Sequence, residues 1–154
     1  MADFPDQWPI AAFHFRITID GEQISFQEVS GLDHEVDVIE YRHGDSEVFS
    51  NIKLAGLTKT TDLTCKKGIF SDDDRLLELM NRVYEKDYYS NNPDSRMDIL
   101  VELLDETGDT MMTWNITNAF PIKLTGPSLN SGSSDVAVEE IVFTYEGLET
   151  SLAG

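Results

Sequence analysis

Cysteine is almost missing from this sequence, since Cys65 is the only one among 154 residues. A single thiol cannot form a disulfide within the chain, and it cannot supply the paired cysteines of a structural zinc site. The three histidines, His14, His34 and His43, follow no metal-binding spacing such as His-Glu-x-x-His. The sequence therefore predicts no disulfide, no metal site and no cofactor.

Basic residues are scarce as well, with 11 Lys and Arg against 29 Asp and Glu and a formal net charge of −18. Nucleic acids and anionic membranes are bound through clustered positive charge, and Lys66-Lys67 is too small a cluster for that. We predict neither specific nucleic-acid binding nor membrane binding by this chain. Two interpretations of the acidity stay open: a solvated surface of the kind common in salty habitats, or a functional role for the charge.

Long hydrophobic runs do not occur, and no segment approaches the roughly 20 apolar residues of a membrane-spanning helix. Asp3 and Asp6 stand where a signal peptide would carry basic residues, and no apolar core of a signal peptide follows. The expectation is a chain that is made and folded in the cytoplasm without a signal peptide.

Alternation of apolar and polar residues dominates what is present, and it predicts a mainly β protein. The odd-numbered residues from Phe13 to Ile19 share one strand face, and Asp20-Gly21 predicts a tight hairpin turn. In the last strand the apolar face changes parity at Glu139-Glu140, which predicts a bulge. Strands are predicted over residues 13–19, 24–29, 34–41, 60–66, 97–104, 111–119 and 136–145. They predict one domain with a core of about residues 10–150, as a two-sheet β-barrel or sandwich.

One flanking helix is predicted over residues 72–87. Ser71 is a favourable N-cap, and the acidic residues 72–74 suit the first turn. A calcium site is the other interpretation of this acidic run, but the loop glycine and distal glutamate of an EF-hand are missing. The predicted apolar stripe consists of Leu76, Leu77, Met80, Val83 and Tyr84.

Residues 42–57 follow no helix or strand period, and they exceed the length of an ordinary connection. We expect an extended arm that reaches a neighbouring molecule. The alternative is a surface loop whose apolar side chains fold back on their own domain. The hypothetical interface residues between subunits are Tyr41, Arg42, Val48, Phe49, Ile52, Leu54 and Leu57.

Catalytic motifs are not found: the sequence has no Gly-x-Ser-x-Gly, no P-loop and no Gly-x-Gly-x-x-Gly. Trp114 and the Met111-Met112 pair favour core packing over cofactor binding. The sequence therefore predicts a protein that is not an enzyme.

Seven segments in order carry a resemblance to a known family, within a span from Phe13 to Leu148: Phe26–Leu32, Ile39–Gly44, Leu54–Lys59, Thr64–Gly68, Trp114–Asn130, Asp135–Ile141 and Tyr145–Leu148. Together they resemble the tail tube proteins of contractile phages, of the T4 type. The resemblance is greatest to the inner tube proteins of extracellular contractile injection systems.

The resemblance implies a structural subunit that forms hexameric rings, which stack into a hollow tube. The implied partners are other copies of the chain, a surrounding sheath protein, baseplate and spike proteins, and cargo in the lumen. The implied location is a phage tail or a tail-like particle, released from the cell or anchored at a membrane. A specialised ring remains the alternative, either a tube initiator, a spike adaptor or a secreted ring protein like that of type VI secretion. An enzyme or small-ligand binder on a β-barrel is the third hypothesis, and no convergent polar residues support it.

Overall fold

Ten β-strands and one α-helix make up the described part of the chain in this computed structural model, which covers residues 14–42, 44, 52–85, 96–132 and 134–152. The mainly β prediction with one helix is confirmed. The strands are β1 (Phe15–Ile19), β2 (Glu22–Ile24), β3 (Glu28–Ser30), β4 (Glu35–Tyr41), β5 (Ile52–Lys59), β6 (Leu63–Gly68), β7 (Met97–Leu104), β8 (Thr110–Thr125), β9 (Val138–Thr144) and β10 (Gly147–Leu152), and the helix is α1 (Arg75–Glu85).

Two sheets share the long strand β8. The first half of β8 pairs with β7 on one side and with β10 on the other. Beyond β7 the sheet continues with β1 and then β2, and these five strands form the first sheet. The residues of β8 from Phe120 onward pair with β9, and β6 and β3 complete the second sheet. The strands β2 and β3 lie at the two ends of the strand order, and they do not pair with each other. The sheets therefore do not close into a barrel, and the sandwich alternative is correct.

The strand β8 changes sheets at two backbone irregularities. Asn118 has a φ of 53°, and the pairing with β9 shifts register between Pro121 and Lys123. Proline has no N–H to donate to a ladder, so it is tolerated at such a bulge. The bulge at Pro121 thus lies where β8 passes from one sheet to the other.

The first hairpin follows its predicted turn. Ile19 pairs with Glu22 across Asp20 and Gly21, whose φ values of 49° and 82° fit a turn with two left-handed residues. The single strand predicted over residues 24–29 is wrong, because the chain leaves β2 at Ile24 and forms β3 in the other sheet. Short strands on different sheets can carry a similar alternation, which is why the pattern joined them.

The core lies between the sheets, where the inward residues of both sheets meet the helix. Burial raises the pKa of the Cys65 thiol to about 12, because the thiolate would lie in an apolar surrounding. The fully or nearly fully buried apolar residues are Ile17, Ile19, Ile24, Leu63, Cys65, Leu76, Leu79, Met97, Ile99, Val101, Ile116, Ala119, Ile141, Phe143 and Tyr145.

The helix starts later than predicted, at Arg75, because Asp73 rather than Ser71 caps it. The Asp73 carboxylate accepts hydrogen bonds from the Arg75 backbone N–H at 3.2 Å and from its guanidinium at 2.9 Å. Ser71 lies one turn earlier, in a bend closed by the Asp73 N–H on the Phe70 carbonyl. The helix is described to Glu85, so its predicted end at residue 87 lies outside the described residues. No described helix has the length and hydropathy to cross a membrane.

The buried stripe of α1 differs from the prediction in two positions, since it includes Leu79, which was not predicted, and leaves out Leu77. Leu76 and Leu79 are buried, whereas Leu77 is half exposed. Met80 and Val83 are partly buried, and the side chain of Tyr84 lies outside the described residues. Leu77 lies about 100° of helix rotation from Leu76, at the margin of the stripe, where the core does not cover it.

A buried ion network explains the parity change in the last strand. Lys67 is 1% exposed, and its ammonium lies 3.2 Å from both Asp73 Oδ2 and Glu139 Oε1. The pairing of β6 with β9 runs without a register shift, so Glu139 continues the inward face of Ile141. The predicted bulge at residues 139–140 is therefore wrong: the inward face simply ends in a charged residue with a buried partner.

Candidate assembly interface

The hairpin formed by β4 and β5 stands apart from the sandwich as a two-stranded sheet of its own. None of its residues belongs to the hydrophobic core or packs against it. The prediction that residues 42–57 lack regular structure is wrong for residues 52–57, which form most of β5. Val48 and Phe49 lie outside the described residues.

One face of this hairpin is apolar. Ile39 lies opposite Leu54, and Tyr41 lies opposite Ile52, so the four side chains form two adjacent cross-strand pairs. Each of the four is about half exposed. We call these four residues the apolar hairpin face.

The opposite face of the hairpin is mixed in character. Val38 pairs with Ala55 there, and Glu40 pairs with Lys53. The two faces therefore differ in chemistry, and only one of them presents a continuous apolar surface to the surroundings.

A bulge in β5 separates these pairs from the base of the hairpin. The register shifts between Val36 and Val38, where β5 carries the extra residue in the region of Gly56 and Leu57. A Cβ on Gly56 would lie 3.0 Å from the Asp37 carbonyl oxygen and 3.1 Å from Ile39 Cγ1. Glycine thus permits the bulge, and Leu57 beside it is 82% exposed.

An ion pair and opposed charges mark the base of the hairpin. The Lys59 ammonium donates to Asp37 Oδ1 at 2.7 Å, and Glu35 is the cross-strand partner of Lys59. The hydrogen bond to Asp37, and then the charges of Asp37 and Glu35, raise the pKa of Lys59. These contacts link the two strands of the hairpin to each other at its base.

Among the predicted interface residues, the structure brings together Tyr41, Ile52 and Leu54 on the apolar hairpin face. Arg42 follows directly after β4 and is exposed, and Leu57 lies at the bulge. Sequence reasoning missed Ile39 as a member of this face. Its alternation with Tyr41 was visible, but no partner strand was recognised because the bulge at Gly56 interrupts the period of β5.

Edge strands supply a second kind of assembly surface. The outer strands are β2 and β10 in the first sheet, and β3 and the second half of β8 in the second sheet. The free N–H and C=O groups of an edge strand are a template for pairing with another chain. Among the described strands, β10 pairs only with β8, so its other side is available for such pairing.

Within the described residues, no group of three or more His, Cys, Asp or Glu side chains is placed to hold a metal ion. The acidic residues 72–74 are used otherwise: Asp73 caps α1 and binds Lys67 and Arg75. The Arg75 guanidinium lowers the pKa of the Asp73 carboxyl well below its usual range, and Lys67 adds to this.

Comparison with known proteins shows which proteins share the sequence and the fold of this chain. The family model described as T4-like virus tail tube protein gp19 matches residues 11–149. A chain in the PVC extracellular contractile injection system, in the extended sheath–tube complex, is 33% identical; the match covers 96% of this chain and 95% of that chain, with a TM-score of 0.83.

A chain in the tube-terminating cap of the anti-feeding prophage is 31% identical; the match covers 99% of this chain and 97% of that one, with a TM-score of 0.84. Hcp1 from Flavobacterium johnsoniae shares the fold at 14% identity and a TM-score of 0.55, with coverage of 90% and 95%. No curated protein sequence matches the chain.

Proposed function

This chain belongs to the T4-like virus tail tube protein family, and on that premise we propose that copies of it form hexameric rings that stack into the inner tube of a contractile phage tail or tail-like injection system. Its role as a structural tail tube subunit follows from the family match over residues 11–149 and from 33% identity to a chain of a sheath–tube complex. The hexameric ring and its stacking are the proposed part.

The apolar hairpin face is the observation that supports stacking. Fully burying one large aliphatic or aromatic side chain contributes about 1.5–3 kcal/mol, so burying the exposed half of each of the four contributes roughly 1 kcal/mol. Such a gain recurs at every subunit of a tube. We place this face against the next ring, together with Arg42 and Leu57 from the interface hypothesis.

Edge strands support closure of the ring. A cyclic assembly joins one edge of each subunit to a different edge of the next, so that the ring leaves no edge open. In this proposal neighbours within a ring meet through sheet edges, and neighbours along the tube meet through the hairpin.

The partners are proposed from the assemblies in which the relatives occur. These are an extended sheath–tube complex, a tube-terminating cap and a sheath–tube terminator. We propose a sheath protein outside the tube, baseplate and spike proteins at its tip, and cargo in its lumen. The chain acts as a structural component and not as an enzyme, and it resides in the assembled particle.

A specialised ring is the second candidate, because one 31% identical chain comes from a cap that terminates a tube. A secreted ring protein has weaker support, since the two Hcp proteins share only the fold, at 14% and 12% identity. Purified protein that polymerises into long tubes is the bulk subunit. Protein that stops at single rings is the specialised one.

The test of the hairpin contact compares the two faces of the same hairpin. In the double variant Ile39→Ser/Leu54→Ser, the apolar hairpin face loses one complete cross-strand pair. In the control variant Val38→Ser/Ala55→Ser, the opposite face is changed instead. We expect the first variant to keep the thermal transition of the wild-type subunit but to form no tubes in negative-stain micrographs, whereas the control forms tubes. Normal tubes from the first variant contradict the proposed contact, and so does loss of tubes from both.

A further inference from the structure

The hairpin formed by β4 and β5 is connected to one end of the second sheet. The chain enters the hairpin after β3, which ends at Ser30, and it returns from the hairpin into β6, which starts at Leu63. Ser30 pairs with Thr64, so both connections lie at the same end of this sheet. The base of the hairpin therefore marks that end.

The opposite end of the second sheet is formed by three other chain segments. The last residue of β6, Gly68, pairs with the first residue of β9, Val138. The last residue of β8, Thr125, lies opposite Glu140 at the same end. At about 3.3 Å per residue, the six residues of β6 place the two ends of the sheet about 17 Å apart.

Exposed apolar side chains gather at this far end of the second sheet. They are Ile69, Phe70, Leu129 and Val136, and we call them the far-end patch. The Ile69 N–H donates to the Ala137 carbonyl at 3.0 Å, and Leu129 and Val136 line one cavity of about 420 Å³. The exposed fractions of Leu129 and Val136 are 85% and 77%, so little of the described chain covers them.

We propose that the far-end patch receives the β4–β5 hairpin of a second copy in the next ring, with the apolar hairpin face of that copy on Leu129 and Val136. This inference rests on the proposed stacking of rings, and it names the surface that the hairpin contacts. Rings that stack in one orientation join head to tail, and such a contact needs two different surfaces on each subunit. The base of the hairpin and the far-end patch lie at opposite ends of the second sheet, as a head-to-tail contact requires.

The cavity of the far-end patch is large enough for side chains of the hairpin. A cavity of about 150 Å³ accommodates benzene, so one of about 420 Å³ has room for roughly two large side chains. The apolar hairpin face presents its side chains in such pairs, and Ile39 with Leu54 is one of them. Exposed apolar patches mark interaction sites on soluble proteins, which suits both surfaces.

Charge favours the same arrangement. Arg42 and Lys53 lie on the hairpin away from its base, and among the described residues neither has an ion-pair partner. The far end carries the exposed residues Asp72 and Asp74, which follow Phe70 directly. Opposite charges on two surfaces attract each other and fix their relative orientation. In a chain with a formal charge of −18, such local complementarity favours this pair of surfaces over others.

Cross-linking in assembled tubes identifies the receiving surface. One sample of the full chain carries Leu54→Cys and another carries Val136→Cys; the two are mixed, assembled and treated with a short bismaleimide. The control mixture contains Leu77→Cys, exposed on α1, in place of Val136→Cys. Cys65 is buried and does not compete. We expect several-fold more covalent dimer on a denaturing gel from the first mixture than from the control, and little dimer from Leu54→Cys alone.

The outcomes separate this inference from the stacking on which it rests. Tubes in which the first mixture gives no more dimer than the control overturn the far-end patch as the receiving surface, while stacking itself stands. Abundant dimer from Leu54→Cys alone means that hairpins meet each other, and it overturns the head-to-tail contact. If the unmodified chain forms no stacked rings in negative-stain micrographs, the proposed function is overturned together with this inference.

A serine variant tests the same surface without cysteines. In Leu129→Ser/Val136→Ser both replaced side chains are exposed in the subunit, so we expect the thermal transition of the wild type. We expect this variant to lose the tubes and to stop at single rings, whereas the control Leu77→Ser forms tubes. Normal tubes from the double variant overturn the proposal, and so does loss of tubes from the control as well.

Discussion

The ammonium group of Lys67 lies 3.2 Å from the carboxylate of Asp73, although only 1% of Lys67 is exposed to solvent. This contact joins β6 to the first turn of α1. The carboxylate of Glu139 on β9 also lies 3.2 Å from the Lys67 ammonium. An ion pair thus joins the helix to the second sheet, while Leu76 and Leu79 of the same helix are buried in the core between the sheets.

Replacing Lys67 by Met tests this attachment. The variant leaves the carboxylates of Asp73 and Glu139 without their shared buried partner. Breaking a buried pair on one side typically costs 3–5 kcal/mol, so we expect the free energy of unfolding to fall by about 3 kcal/mol in urea titrations. Lys66→Met is the control, since Lys66 is partly exposed and its carboxylate contacts are 3.8 and 3.9 Å long. A change of about 0.5 kcal/mol is expected there, and equal losses in both variants would contradict the role of Lys67.

Acid should weaken the subunit through Asp73. The hydrogen bonds from Arg75, with those from Lys67, lower the pKa of the Asp73 carboxyl in the folded state below its usual value of 3.8. The unfolded state therefore binds a proton at higher pH than the folded state does. The stabilisation is complete above pH 3.8 and is lost as the pH falls through the lowered pKa.

Urea midpoints of the wild type and of Asp73→Asn, compared from pH 6 down to pH 2, measure this contribution. The difference between the two proteins should be largest at pH 6 and should shrink below pH 3.8, because the variant has no carboxylate to protonate. Other acidic groups titrate in both proteins and cancel in the comparison. A difference that stays constant with pH would argue against the pKa assignment.

Gly31 is predicted to tolerate no side chain. Its φ is 96°, and a Cβ there would lie 2.0 Å from the Asp62 carbonyl oxygen, which is a backbone atom. Its own carbonyl accepts hydrogen bonds from Thr61 and Tyr145. We expect Gly31→Ala to lower the free energy of unfolding by at least about 2 kcal/mol. Gly126→Ala, where the added methyl group meets nothing within 4 Å, should change it by less than about 0.5 kcal/mol.

Salt should promote assembly. Each subunit carries a formal charge of −18, so like charges oppose the formation of a ring. The Debye length falls from about 10 Å at 0.1 M salt to about 3 Å at 1 M, and the repulsion is screened accordingly. Light scattering of the purified protein should rise with NaCl and not with sucrose of equal osmolality. A decrease with NaCl would mean that ion pairs between subunits outweigh the net repulsion.

Sequence pattern was sufficient where an element is regular and its partner is local. The hairpin around Asp20-Gly21 and the strand Met97–Leu104 were predicted with their observed bounds or turn. The strand follows one alternation from end to end, and its inward residues Met97, Ile99 and Val101 are apolar and buried. The hairpin follows from its Asp-Gly turn alone, since Glu22 lies opposite Ile19. The pattern failed where a residue depends on a partner distant in sequence, as Glu139 depends on Lys67, 72 positions earlier.

The candidate interface was predicted in part. Ile52 and Leu54 were selected because apolar side chains in an irregular segment need burial, and together with Tyr41 they share one exposed face. The bulge at Gly56 concealed the strand itself, because an extra residue reverses the alternation on one side only. The sequence indicates Ile39 as a member of this face once Leu54 and Ile52 are recognised as a second strand that pairs with Ile39 and Tyr41.

The passage of β8 through both sheets affects how the subunit bears load. A force that pulls the two sheets apart acts along a continuous covalent backbone between Asn118 and Lys123, not only across the packed side chains of the core. Separating the sheets therefore requires the hydrogen bonds of β8 to β9, or to β7 and β10, to be sheared together. The main chain of each subunit therefore connects the two sheets covalently in the middle of a strand, and not only through a loop at the edge.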